Sequence, residues 1–221
     1  MMRILMAGVG CVFLAAAAAL QAGEPVAPKE EIALFNGQDL SGWEFCLAGD
    51  TPPAATFSVS EGVIRCTGRP NGYMRTKVNY KDYKLTIEWR FVKAGNSGVL
   101  LHVSAPDKVW PRSIECQGMF RNQGDFYLIG GTECNEHKGK KGRRVPKRGE
   151  SNEKPLGEWN LYEIICRGDV VQPYVNGKLM NEATGCTVTE GMIAIQSEGG
   201  VWECRKITLS PLPPQADEPG A

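Results

Sequence analysis

The chain has 221 residues, and 25 Lys and Arg balance 25 Asp and Glu, so its formal net charge is zero. A balanced surface sets up no global field to gather nucleic acid or an anionic membrane, which leaves neutral partners as the better fit. What remains after a short leader suits one sandwich or barrel domain.

Residues 1–22 open with a single cation, Arg3, and run into an apolar stretch from Ile4 to Leu20. This layout predicts a secretory signal peptide cleaved near Ala22, because the stretch falls short of the ~20 residues a membrane-spanning helix needs. A retained anchor is the alternative. Cleavage leaves no stable membrane insertion and places the mature protein in the periplasm or outside the cell. Residues 23–31, Pro-rich and charged, read as a tether without the apolar content to fold alone. The folded domain is expected over 32–210. The Pro-rich tail, 211–221, is unfit for a strand interior because proline donates no ladder hydrogen bond.

Within the domain no segment sustains a helical period, whereas alternating runs recur. Phe57–Val59, Leu85–Phe91, Val99–Val103, Tyr162–Cys166 and Ile193–Ile195 are predicted strands. Val175-Asn176-Gly177-Lys178 is the strongest hairpin signal, since Asn-Gly tolerates positive φ at both positions. Glu61-Gly62 and Gly95-Asn96-Ser97-Gly98 are weaker turn signals of the same kind. From His137 to Gly157 apolar residues nearly vanish and basic ones crowd Lys138–Arg148, predicting a surface loop, either solvated or working as a lid or a contact for an acidic polymer. Many short strands without a helix predict an all-β sandwich of two antiparallel sheets.

Of eight cysteines, Cys11 lies in the leader and the rest, Cys46, Cys66, Cys116, Cys134, Cys166, Cys186 and Cys204, lie beyond it. An odd number leaves at least one unpaired, and none shows the spacing of a zinc site. Several are expected as free, buried strand residues, with one or two bridges open in an oxidising compartment.

Alternation also sorts polar side chains by face. In Arg112–Gly118, Ser113, Glu115 and Gln117 oppose Ile114 and Cys116. Glu88 and Arg90 oppose the apolar set of Leu85–Phe91, His102 opposes that of Val99–Val103, Gln196 opposes Ile193 and Ile195, and Arg205 shares a face with Glu203. If these strands are neighbours, one sheet face carries Glu, Gln, His and Arg. Such a face is either merely solvated or, when curved, a groove for sugar hydroxyls on which Trp110 or Tyr127 could stack a ring.

A series of motifs then carries a resemblance. Leu34-Phe-Asn-Gly-Gln-Asp-Leu-Ser-Gly-Trp43, Gly95-Asn-Ser-Gly98, Glu115-Cys-Gln117, Trp159-Asn160 with Tyr162-Glu163-Ile164, Val175-Asn-Gly177, Gly191-Met-Ile-Ala-Ile-Gln196 and Glu203-Cys-Arg205-Lys-Ile207 occur in the order seen in the 3-keto-disaccharide hydrolase domain family. The resemblance spans essentially the mature domain. It implies a concanavalin A-like jelly roll with a concave, carbohydrate-facing surface. It also implies a carbohydrate substrate whose sugar is a ketone at C3, cleaved by proton abstraction at C2, elimination and hydration. By residue type and motif position Glu115 is the candidate base and Arg205, with Gln117 or His102, the candidate stabiliser of the enolate. Asn96, Ser97, Gln196, Glu88, Arg90 and Trp110 are candidate substrate contacts. The family often has Arg where His102 stands, Phe at Cys204 and Asn at Lys206. No cofactor or metal is demanded by these residues; a structural calcium, which sandwich folds can carry, is left open. The competing readings are a non-catalytic carbohydrate-binding module and an interaction domain working through the basic loop. Oligomeric state is not fixed by the sequence.

Overall fold

The alternating runs form strands because every second side chain finds a core, and the longest of them buries alternate residues for most of its length. A computed structural model describes residues 23–214; the leader and residues 215–221 of the tail lie outside the described residues. Strands β1 (Ile32–Ala33), β2 (Trp43–Leu47), β3 (Phe57–Ser60), β4 (Val63–Cys66) and β5 (Gly72–Thr76) precede the long β6 (Tyr83–Lys93). Then come β7 (Gly98–Val103), β8 (Ser113–Gln117), β9 (Phe126–Ile129) and β10 (Arg144–Val145). β11 (Asn160–Arg167), β12 (Val170–Val175), β13 (Lys178–Leu179), β14 (Met192–Ser197) and β15 (Val201–Ser210) follow.

Two antiparallel sheets result. One runs β13-β12-β11-β6-β15-β4-β3, with β1 added against β15; the other runs β10-β9-β8-β7-β14-β5-β2. The Asn176-Gly177 turn joins β12 to β13 with both residues at positive φ, and Glu61-Gly62 joins β3 to β4 in the same way. Gly95–Gly98 behaves differently from those hairpins, because it carries the chain from β6 in one sheet to β7 in the other. The segment expected as a tether is pinned: the Val26 N–H donates to Asn79 and its carbonyl accepts from Lys81.

The sheets close on a shared core. Trp89 stacks on Tyr162 at 5.6 Å between ring centroids and tilts against Trp202 at 6.3 Å. The polar atoms of these rings reach across the sandwich: the Tyr162 hydroxyl donates to the Gln117 carbonyl at 3.1 Å and Trp202 Nε1 to the Gln196 carbonyl at 3.0 Å. Tyr162 and Trp202 thus satisfy their own donors and hold β8 and β14 in place. All cysteines of the described residues are free thiols, most of them buried among core side chains. The expected option of one or two bridges is therefore not realised there.

One residue disrupts the alternation. His102 has φ 57°, and the register between β7 and β14 slips so that Met192 faces Val103 while Ala194 faces Leu100. The extra residue is a β-bulge, which turns the His102 ring inward. There it lies edge-on to Tyr83 at 5.9 Å, and its Nδ1 meets the Val188 carbonyl at 3.1 Å. Burial pushes its pKa down to about 4, so the ring is neutral, with Nδ1–H donating to the carbonyl. The expectation that His102 opposes the core is corrected.

Candidate functional site

The sheet faces turned away from the core are two, and they divide the sequence candidates. Glu88 and Arg90 on β6 and Arg205 on β15 belong to the larger sheet; Glu115, Gln117 and Gln196 belong to the smaller. Arg205 pairs with Glu88, Arg90 pairs with Glu203 at 2.7 Å, and the two guanidinium groups each sit 4.5 Å from the Trp159 ring centroid. This ion-pair and cation–π array ties the side chains to one another and lies across the sandwich from Glu115. Arg205, Glu88 and Arg90 therefore do not share a groove with the candidate base, and a single polar face uniting all the candidates is corrected.

What gathers at Glu115 is a pocket of ≈ 320 Å³ lined in part by Asn96, Trp110, Gln117, Tyr127, Arg143 and Glu198. Tyr127 is the cross-strand neighbour of Glu115 on β9. Glu115 itself is 5% exposed, and its Oε1 has no hydrogen-bond partner among the described residues. Burial, then the neighbouring Glu198 carboxylate, lift its pKa to about 8, with Arg143 pulling the other way. Glu198 is also raised, chiefly by burial, with the Asn96 side chain and Arg143 opposing. Two carboxyls and one guanidinium thus share one space.

Backbone packing sets this arrangement. A Cβ on Gly95 would stand 2.5 Å from Gly200 Cα, so only glycine lets the 95–96 and 199–200 segments touch. That contact pairs Asn96 with Glu198 and Gly199 and delivers the second carboxyl to the pocket. The Asn96 Oδ1 and both amide atoms of Gln196 are buried without partners among the described residues, unusual for groups of this cost. Gln117 spends its Oε1 on the Met119 N–H at 2.7 Å, leaving its amide N–H groups for the pocket. Ser97 contributes no contact there: its hydroxyl is spent on the Gln196 carbonyl at 2.9 Å.

The basic loop supplies the cation. Arg144 Nε donates to Asp125 at 2.8 Å and the Lys147 N–H to the same carboxylate at 2.7 Å, stitching the loop beside β9, while Arg143 reaches the pocket. Arg143 and Glu198 were not among the sequence candidates. Glu198 was within reach of the same alternation, two residues beyond Gln196, whereas nothing in a run of basic residues singles out Arg143.

A model of the 3-keto-alpha-glucoside-1,2-lyase-like domain family matches residues 30–210. The chain belongs to this family. No curated relative matches it. Among solved structures, a protein of Parabacteroides distasonis provisionally named a glycosyl hydrolase superposes with a TM-score of 0.63 at 18% identity, covering 83% of this chain and 100% of its own. The β-glucanase of Bacillus licheniformis gives 0.54 at 13% identity over 82% of this chain and 97% of its own. The carbohydrate-binding module CBM66 of Bacillus subtilis gives 0.55 at 12% identity over 76% and 95%. At such identities the likeness is one of fold, the concanavalin A-like jelly roll of two antiparallel sheets.

In this member of the family a strap, residues 104–112, covers the part of the sheet face beside the pocket. Beneath it lie Tyr73, Leu100, Val103, Ile129, Met192 and Ala194, a second apolar cluster outside the main core. Asp107 anchors the strap: Arg75 donates to it from Nε at 3.0 Å and from Nη2 at 2.9 Å. Further along, Trp110 stands in the pocket wall, 42% exposed. The Asp107 anchor lies three residues before Trp110, so it is expected to position the ring. Asp107→Asn is expected to raise KM for a glycoside about 3–10-fold with kcat preserved, as the loss of one partly exposed bidentate pair allows. An unchanged KM, or a fall confined to kcat, would contradict that role.

Proposed function

We propose that the protein cleaves 3-keto-glycosides by elimination across C1 and C2. The C3 carbonyl acidifies the C2 hydrogen, and Glu115 removes it; the electron pair moves toward the ketone oxygen as an enolate, which Arg143 and the Gln117 amide stabilise. Collapse of the enolate breaks the C1–O bond, and the departing oxygen takes a proton from solvent at the pocket mouth. The products are an alcohol and a ring with a C1=C2 double bond conjugated to the ketone; addition of water at C1 converts the latter to the free 3-keto sugar. Asn96 and Glu198 offer hydroxyl contacts, and Trp110 and Tyr127 offer faces for the ring.

The observation that carries this reading is a buried carboxyl with its pKa near 8 beside a cation in a sugar-sized pocket. A carboxylate held this far above its ordinary range is a stronger base than one in water, and family membership supports the choice of substrate class. The leader over 1–22 supports action outside the cytoplasm, in the periplasm or beyond the cell.

The test is incubation with a 3-keto-glucoside and with its unoxidised parent, following alcohol release and the ultraviolet absorbance of the conjugated enone. Cleavage of the keto compound alone is expected. Because the base acts ionised, kcat/KM should climb as pH rises through about 8 and level off above it. Cleavage of both compounds would point to ordinary glycoside hydrolysis. Binding without turnover of either would point to a carbohydrate-binding module, a role performed on the same fold by CBM66.

A further inference from the structure

A larger hollow, of ≈ 700 Å³, lies on the far side of the Met119–Asn122 turn and takes no part in the elimination. Met119 lines the Glu115 pocket and Phe120, the next residue, lines the hollow, so one turn borders both spaces. The turn between them is fixed. The Phe120 N–H donates to the Gly95 carbonyl at 3.3 Å, next to Asn96 of the pocket, and Asn122 N–H donates back to Met119 at 2.8 Å.

Apolar and cationic side chains both line the hollow. Phe120 and Leu156, the latter 44% exposed, provide the first; Arg121, Lys147 and Lys154 provide the second. Two carboxylates, Glu150 and Glu153, also line it, but Glu153 is already committed to the loop. Its Oε2 accepts from the Arg121 N–H at 2.8 Å and from Gln123 Nε2 at 3.2 Å, and its Oε1 accepts from the Gln123 N–H at 3.1 Å and the Ser151 hydroxyl at 2.9 Å. Lys147 Nζ is likewise held, donating to the Arg121 carbonyl at 2.9 Å. Among the described residues neither Arg121 nor Lys154 forms an ion pair.

Arg121 is the unusual member. Its φ of 69° is the left-handed region that a non-glycine side chain rarely adopts, and Glu153 holds it there through the backbone N–H. The guanidinium then lies 5.6 Å from the Phe120 ring centroid, with no carboxylate paired to it among the described residues. Arg121, Lys147 and Lys154 against Glu150 and Glu153 leave the hollow with a net positive charge, and Glu153 is spent on fixing the backbone, which suits a ligand that brings the anion.

We infer that this hollow receives the leaving half of the glycoside, as an apolar or aromatic aglycone bearing a carboxylate, with Arg121 and Lys154 binding the anion and Phe120 and Leu156 the hydrocarbon. This rests on the elimination reading only for the identity of the ligand's other half. The hollow is a specificity subsite and touches no reacting atom.

The experiment compares phenyl and 4-carboxyphenyl 3-keto-glucosides on the wild-type protein and on the double variant Arg121→Gly, Lys154→Ala. Glycine retains the left-handed backbone, so the turn keeps its shape. The wild type is expected to show a KM about 10-fold lower for the carboxylated compound, and the variant to lose that preference while its KM and kcat for the phenyl compound stay put. Equal KM values in the wild type, or a variant that weakens both compounds alike, would overturn the subsite. Should neither glucoside be cleaved, the elimination reading falls and benzoate alone decides the rest. Benzoate binding to the wild type, measured by proton NMR and lost in the double variant, upholds an anion subsite; no binding to the wild type overturns it.

Discussion

Glu115→Gln is expected to lower turnover of a 3-keto-glycoside by about 10²–10⁴-fold and, at pH 8, to make the protein more stable than the wild type. The two halves of this result have one cause. Glu115 is 5% exposed with an unpartnered Oε1, and burial is the first reason its pKa stands at about 8 rather than 4.5. For a carboxyl raised in the folded state, stability is fully present below the unfolded pKa and is lost as pH rises through the folded one. The wild type therefore gives up stability between about pH 4.5 and pH 8, in total on the order of 4 kcal/mol. Glutamine has no proton to surrender and keeps what the wild type loses. Melting curves at pH 4 and pH 8 should show the two proteins close together at the lower pH and the variant ahead at the higher. A structural glutamate would give the opposite pattern, with the variant less stable at both. Retained activity would remove Glu115 from the chemistry.

Why Glu115 was legible in the sequence while the split between the two faces and Arg143 were not follows from what alternation encodes. Ile114 and Cys116 mark the core side of β8, so Glu115 must face away from it, and the Glu115-Cys-Gln117 motif marks the same residue. Alternation states which residues turn from the core, but a sandwich has two such faces, and only strand pairing tells them apart. Arg205 and Glu115 both turn outward, on opposite sheets, because β15 pairs with β6 whereas β8 pairs with β7. The turn at Gly95–Gly98 concealed that divide, since a crossover between sheets and a hairpin use the same residue types. His102 failed for a narrower reason: one inserted residue reverses the pattern after Leu101, and a bulge leaves no mark in apolar spacing. Arg143 depends on where a long loop lies, which tertiary contacts such as Asp125 with Arg144 decide. The fold could thus be read from local patterns, and so could Glu115, Gln117, Asn96, Trp110 and Tyr127 of the pocket, but neither the division between the two faces nor the Arg143 beside them.

Gly98→Ala tests the geometry from the opposite direction, by leaving every reactive group in place and moving it. Gly98 lies outside the left-handed region, so alanine suits its backbone and any penalty arises at the added methyl. That Cβ would stand 2.5 Å from Gln196 Oε1 and closer still to Glu115 Oε1, distances real side chains do not sustain. Both neighbours are buried, so they must yield by shifting within the sheet face. Overpacking of this kind costs about 1–3 kcal/mol of stability, which a folded domain tolerates. The catalytic cost is larger in proportion: displacing a base by about 1 Å lowers turnover roughly 10²-fold. The expected result is a large fall in kcat with a folded protein and a modestly lower melting temperature. Gly149→Ala serves as the control, since nothing lies within 4 Å of the methyl it would gain, and its activity should match the wild type. If Gly98→Ala turns over substrate normally, then the carboxylate above it is not the base, because no reaction that depends on its placement could survive that displacement.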